Sequence, residues 1–427
     1  MSPHHPIRHR RPARAQRGAI AIIVGLSLAA MVGMAGLAVD LGRLYVNKAE
    51  LQGAADACAL AASKELVCDT TAGACPAQFL LNAETAGIFA AGKNKKDLQG
   101  STVVIAAADL KFHTAIGPNA SYLSRTGGAS AQSKFAMCTA RSTGVVPWFM
   151  GATGLGAANS VSAIAVATLR SSSGTVCPSV PLGVCSNGAA PNFGYAVGQW
   201  ISSNFTPGNG NNGDGLSGGF KWVDYTPNAG GNSEIRDGLV ASGACPTPVN
   251  NGTSIDQPGQ QQGAKSAYNT RFGIYPNGAN AYTTATAPPD HTGYGYPTKG
   301  AANPAIAVGV SAFAAYMARQ AAFFPYTDNQ YGGSNVGNIL NITTAADHQQ
   351  FGQNRRVVTL PVIACGNGNT NILGFVCTLL LNPMPNGAGP VYMEFRGAAN
   401  LPGSPCVTMG GPGGPGSTGP LVSALVQ

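Results

Sequence analysis

Ten cysteines carry most of the chemistry legible in this 427-residue chain: Cys58, Cys68, Cys75, Cys138, Cys177, Cys185, Cys245, Cys365, Cys377 and Cys406. No pair has C-x-x-C spacing and no histidine lies at zinc-finger distance from a pair, so the pattern does not point to metal. An even count points to disulfides wherever the compartment is oxidising. Cys68–Cys75, Cys177–Cys185 and Cys365–Cys377 are close enough in sequence to close local loops, although spacing alone does not fix connectivity. Cys58 stands among alanines and reads as a small packed residue. Acid–base chemistry has little to draw on. Beyond the N-terminal tail there are three histidines, His113, His291 and His348. Asp347-His348 is the one acid–His neighbour pair in a helical stretch, and adjacency in sequence does not build a relay. No nucleophile elbow, Walker loop or dinucleotide-binding glycine motif stands in a strand–turn–helix setting. Residues 209–214 have the Asn and Gly of a calcium loop, but not its alternating carboxylates or terminal Glu. The expectation is no catalysis, no cofactor, no metal and no small-molecule substrate.

Composition says which elements must position these groups. Only 10% of residues are charged, while Gly (58) and Pro (29) make up a fifth of the chain. Charge is too scarce for a disordered polyelectrolyte. Five units of the formal +8 come from Arg8, Arg10, Arg11, Arg14 and Arg17, leaving +3 for everything after residue 17. Beyond that tail no basic cluster with interleaved aromatics occurs, so a nucleic-acid partner is not expected.

Residues 18–39 form an uncharged run of 22 residues, GAIAIIVGLSLAAMVGMAGLAV. As a helix it is about 33 Å long, enough to cross the hydrocarbon core of a bilayer. It exceeds the apolar core of a cleaved signal peptide, so an uncleaved anchor is expected. The arginines before it predict the N-terminus in the cytoplasm and the bulk of the chain outside. Gly25, Ala29 and Gly33 make a small-xxx-small face on which a second helix, including that of another copy, could pack. Without an intervening Pro the helix should run on to about residue 66. There Leu41, Leu44, Leu51, Ala55, Cys58 and Ala62 form a heptad-like stripe, broken only at Lys48. That stripe serves either a partner helix or the chain's own domain.

These residues resemble a known family. Arg17-Gly18-Ala19, the apolar span, and then Gly36-Leu37-Ala38-Val39-Asp40-Leu41-Gly42-Arg43-Leu44-Tyr45 resemble the N-terminus of TadG-like Flp pilus-assembly proteins. The stretch from Leu51-Gln52-Gly53-Ala54-Ala55-Asp56 to Ala62 is similar to the same family. A looser similarity to Tad-related pilus proteins covers Val145-Val146-Pro147-Trp148-Phe149 and residues 160–167. The resemblance implies a bacterial envelope protein with one anchor, a large periplasmic part, and other Tad/Flp components as partners. The Asp-x-Ser-x-Ser metal motif of some relatives does not occur here. Nor does the Glu that follows the cut in a prepilin, so an unprocessed anchor is expected.

The expected fold class is α+β. A single N-terminal transmembrane helix continues into a long helix, followed by antiparallel sheets with long Gly/Asn-rich loops. The expected divisions are a basic cytoplasmic tail (1–17), the anchor (18–39), and a TadG-like helix with a small α+β module (40–170). A loop-rich periplasmic domain (171–400) and a Gly/Pro-rich tail (401–427) follow. Helices are expected over 76–92, 147–153 and 301–324. Strands are expected over 101–114, 132–141, 160–169, 355–364, 372–381 and 390–396. The function this implies is pilus assembly through protein contacts at the inner membrane. The alternative is a membrane-tethered surface adhesin or envelope-contact protein, and an envelope hydrolase on Asp347-His348 comes third.

Overall fold

The computed structural model describes residues 17–67, 78–117, 120–152, 159–208, 213–226, 231–240, 247–277, 282–298, 306–327, 340–366, 368–400, 404–408, 412–413 and 419–426. Cys68, Cys75, Cys245, residues 209–212 and the arginines before Arg17 lie outside this set.

A single helix α1, Arg17–Lys64, takes in both the apolar run and the stripe beyond it. At 48 residues it is about 72 Å long. Its last third lies beside helix α2, Gln78–Ala91, and across a six-stranded sheet. The sheet order is Val407–Thr408, Leu421–Leu425, Asn159–Ser171, Phe135–Val145, Leu110–His113 and Leu123–Ser124. Neighbours are antiparallel except the first pair, which is parallel.

Alanine explains how closely these layers approach. Ala54, Ala55, Ala59 and Ala62 of α1 share a core with Ala136, Ala140, Ala163, Ala165 and Ala167 of the two central strands. Methyl groups leave the helix backbone near the sheet, and the high Ala content follows from that contact. Gly87 brings α2 equally close. A Cβ there would lie 2.7 Å from the Leu110 side chain and 3.1 Å from the Cys58 carbonyl oxygen.

The second body is built on an eight-stranded sheet. Its order is Phe220–Trp222, Leu182–Cys185, Val357–Ile363, Thr370–Leu380, Gly389–Ala398, Trp200–Thr206 and Gly215–Gly218, with Ser254–Ile255 beside Thr370–Leu380. Val357–Ile363 is buried along its whole length, which accounts for the near-continuous apolar run VVTLPVI. Pro361 has no N–H to donate, and the neighbouring strand Leu182–Cys185 pairs only at Val362 and Ile363.

Three expectations change. The helix expected over 301–324 is confined, among the described residues, to Phe313–Ala321. Its start is fixed from outside: Glu394 accepts from the Ala312 backbone N–H at 2.6 Å and from the Ser311 hydroxyl at 2.7 Å, just after Gly309 with φ +84°. Ile306 and Val310 therefore precede the helix. The strand expected over 101–114 is split by a 3-10 turn, leaving Ser101–Thr102 and Leu110–His113. The segment 401–427, Gly/Pro-rich by composition, contributes Leu421–Leu425 to the first sheet, where it pairs with Asn159–Ser171.

The disulfides depart further from expectation. Cys185 bonds Cys365, Cys377 bonds Cys406 and Cys58 bonds Cys138. Cys177 is disulfide-bonded too, but not to Cys185. The expected Cys177–Cys185 and Cys365–Cys377 loops do not form, because Cys185 meets Cys365, 180 positions on, and Cys377 meets Cys406, 29 positions on. Cys58 is a bonded residue as well as a packed one. It faces the central strand Phe135–Val145 where the helix crosses it.

The end of α1 also meets the second body. Glu65 accepts from the Asn354 backbone N–H at 2.9 Å and lies 3.3 Å from His291 Nε2. Phe89 of α2 meets Phe351 edge-on with ring centres 6.0 Å apart.

Candidate interaction site

The stripe on α1 divides in two. Leu51, Ala55, Cys58 and Ala62 are fully buried against α2 and the sheet, so they are committed to the chain's own core rather than to a partner. Leu44 is half-buried and Leu41 exposed. The cause is the disulfide and sheet crossing just described, which take up this face of the helix. What stays free is the N-terminal half of α1. From Ile20 to Val39 every residue is exposed except Gly36. Gly25, Ala29 and Gly33 lie in this free part, and a Cβ on Gly25 or Gly33 would meet nothing within 4 Å. The small-xxx-small face is thus open over its whole length. Of the basic residues, Arg17 begins α1, while Arg8, Arg10, Arg11 and Arg14 lie outside the described residues.

One described helix is long and apolar enough to cross a membrane, and it is this one. A model of the TadE/G-like Flp pilus-assembly family matches residues 18–74. The N-terminal region of this chain is a TadE/G-like segment. No curated protein and no solved structure matches the chain.

The base of the free TadE/G-like helix is built around Asp40. Its carboxylate accepts backbone N–H groups from Trp148 (2.7 Å), Phe149 (3.1 Å) and Met150 (2.9 Å), which open the short helix α3, Trp148–Ala152. Burial raises the Asp40 pKa, but these donors and the nearby Arg43 outweigh it and hold the carboxyl below its usual value. Arg43, one turn on, donates to Asp97 at 2.7 Å and to the Val146 carbonyl at 3.0 Å, with its guanidinium carbon 4.6 Å from the centre of the Trp148 ring. Neither the Asp40 role nor the Arg43 role is signalled by local sequence, since their partners lie about a hundred residues away.

Asp347 and His348 do not face each other. Asp347 closes a capping box with Thr344 at the start of the helix Ala345–Phe351, accepting from the Thr344 backbone N–H at 2.8 Å. His348 turns inward, where Nδ1 lies 2.6 Å from the Asp290 carbonyl oxygen and Nε2 lies 2.9 Å from the Thr343 hydroxyl. A carbonyl can only accept, so Nδ1 carries the proton and Nε2 of the neutral ring is left to accept. The arrangement fixes a helix end rather than forming a proton relay.

Acid sensitivity follows from these groups. Burial pushes His348 below its usual value, against the opposing pull of Asp290. Burial raises Glu65, but its bonds to His291 and Asn354 and the neighbouring Lys64 bring it below the ordinary carboxylate range. Both folded-state values are depressed, so the unfolded chain takes up each proton first. The stability from His348 is whole above about pH 6.5 and is lost as pH falls towards its folded value; that from Glu65 is lost below about pH 4.3. The thermal midpoint of the detergent-solubilised chain should be flat from about pH 8 to about pH 7 and fall in two stages below that. His348→Gln should lack the first stage. Identical profiles for the two proteins would refute the assignment.

A cleft of about 600 Å³ opens where the end of the first sheet meets the second body, bordered by Ser172, Thr175, Asn250, Asn400, Phe193 and Phe375 among others. None of its described lining residues is charged.

Proposed function

We propose that this chain is a membrane-anchored component of Tad/Flp pilus assembly that acts through protein contacts rather than catalysis. The observation that carries the reading is the bare apolar half of α1. Some 20 residues of helix stand clear of a folded, disulfide-linked body, within the segment that matches the pilus-assembly family. In water so long an apolar helix has no partner, whereas in a bilayer its backbone is satisfied internally and its side chains match the lipid. The arginine tail favours a cytoplasmic N-terminus in the bacterial inner membrane. Disulfides among the described cysteines support a periplasmic body, since that compartment is oxidising. The open Gly25–Ala29–Gly33 face suits helix packing with other pilus-assembly proteins or a second copy.

Membrane fractionation with protease accessibility tests the reading. The chain should pellet with inner membrane, and protease added from the periplasmic side should reach the body but not the N-terminal tail. A full-length soluble cytoplasmic protein would refute it. The neutral, aromatic-bordered cleft favours one second reading, a tethered envelope-contact protein. Pull-down separates the two: an assembly component retains pilus proteins, whereas a contact protein binds surfaces without them.

A further inference from the structure

We propose that α3 is a second membrane contact, with Trp148, Phe149 and Met150 forming a foot at the lipid interface of the bilayer that α1 spans. The proposal rests on the anchor reading above. These three neighbours are 56%, 49% and 38% exposed, and Val146 beside them is 52% exposed. Single exposed apolar residues are ordinary, but a contiguous group with two aromatics marks a contact surface.

Continuity with the span identifies the occupant. Phe149 lies against Gly36, where a Cβ would stand 2.9 Å from the Phe149 Cβ. Gly36 is three residues inside the end of the apolar run, so Phe149 sits about 5 Å on the lipid side of that boundary. Trp148 is held one residue past that boundary, where Asp40 accepts its backbone N–H at 2.7 Å, and its ring lies against the guanidinium of Arg43 on the water side. The two rings therefore straddle the level at which a bilayer passes from hydrocarbon to headgroup. Aromatic side chains are enriched there because an apolar ring can enter lipid while its polar edge stays wet. The foot cannot swing away freely. Asp40 takes the N–H groups of all three residues, and Arg43 holds the Val146 carbonyl. Two fixed points on one bilayer would set the tilt of the folded body, where a lone helix would leave it free to swing.

The full-length chain in lipid vesicles provides the test. Lipids brominated near the headgroup end of their chains should quench tryptophan emission, and Trp148→Phe should remove most of that quenching. The other two tryptophans are placed to contribute little: Trp222 is fully buried, and Trp200 packs on Tyr392. Lipids brominated near the bilayer centre should quench Trp148 less. An unchanged thermal midpoint for Trp148→Phe shows that the fold is kept. Quenching that survives Trp148→Phe, or Trp148 shielded only after pilus proteins are added, overturns the foot. Alkaline extraction of the same vesicles separates the two readings. A chain retained in the membrane with Trp148 unquenched loses the foot and keeps the anchor, whereas a chain released by alkali loses both.

Discussion

Arg356→Ala should lower the unfolding free energy by about 3 kcal/mol or more, because it takes the donor from several buried carbonyls at about 1–3 kcal/mol each. Arg356 is fully buried and its guanidinium serves four carbonyls. Nε and Nη2 donate to Leu380 at 2.9 and 2.8 Å, and Nη2 also reaches Leu381 at 3.2 Å. Nη1 donates to Thr292 at 3.1 Å and to Tyr294 at 2.7 Å. The guanidinium lies between two rings, 4.3 Å from the centre of Phe272 and 5.1 Å from that of Tyr316. One side chain thus joins the end of the central strand Thr370–Leu380 to the segment around Asp290, which has little regular structure of its own. Asp290 completes the join by accepting the backbone N–H groups of Arg355 and Arg356 at 2.8 and 3.0 Å. Truncation takes this donor from the Leu380, Thr292 and Tyr294 carbonyls in a site closed to water, while Leu381 keeps the Tyr296 N–H at 2.8 Å. Arg356→Lys should rescue little, because one ammonium cannot reproduce the planar fork. Chemical denaturation monitored by near-ultraviolet circular dichroism measures both, and a loss below about 1 kcal/mol for the Ala variant would contradict the role assigned here.

Removing the Cys58–Cys138 bond should have an effect of similar size. The bond closes a loop of 80 residues, for which the chain-entropy relation gives about 4.5 kcal/mol. Because the bond pins α1 to the central strand of the first sheet, its loss should appear there first. The double variant Cys58→Ala/Cys138→Ala should unfold at lower denaturant than the parent. Its amides in α1 beyond Leu51 and in Phe135–Val145 should exchange hydrogen faster than those of Val357–Ile363. Uniform acceleration across both bodies would show that the bond is not a local fastener. Non-reducing peptide mapping checks the pairing itself, and a peptide joining Cys365 to Cys377 would contradict it.

Local pattern was a good guide where neighbours in sequence decide the structure. The helix expected from 18 to about 66 is found at Arg17–Lys64, and that over 76–92 at Gln78–Ala91. Strands expected over 132–141 and 160–169 are found at Phe135–Val145 and Asn159–Ser171. The three strands expected over 355–396 are found within a residue or two of their limits. Periodicity and breaker residues suffice for such elements, because each is specified by side chains a few positions apart.

Cysteine pairing, the buried arginines and the return of the C-terminus were not legible in this way. Cys185 and Cys365 are 180 positions apart and meet only because the strand Leu182–Cys185 runs parallel to Val357–Ile363, which ends two residues before Cys365. Arg355-Arg356 reads in sequence like any basic pair at the start of a strand, and only the fold surrounds it with carbonyls. Leu421–Leu425 follows a glycine- and proline-rich stretch whose composition conceals a strand that finds its partner some 250 residues earlier.

The long helix, its apolar half and the arginines before it follow from residue type and a 1.5 Å rise per residue alone. Tertiary structure decided which face of that helix remains available. Packing by Ala55 and Ala62, and the bond from Cys58, commit the distal stripe to the chain's own core, and Asp40 fastens α3 at the base of the span. A side chain's periodicity shows that it must be buried, but only the folded chain supplies the surface that buries it.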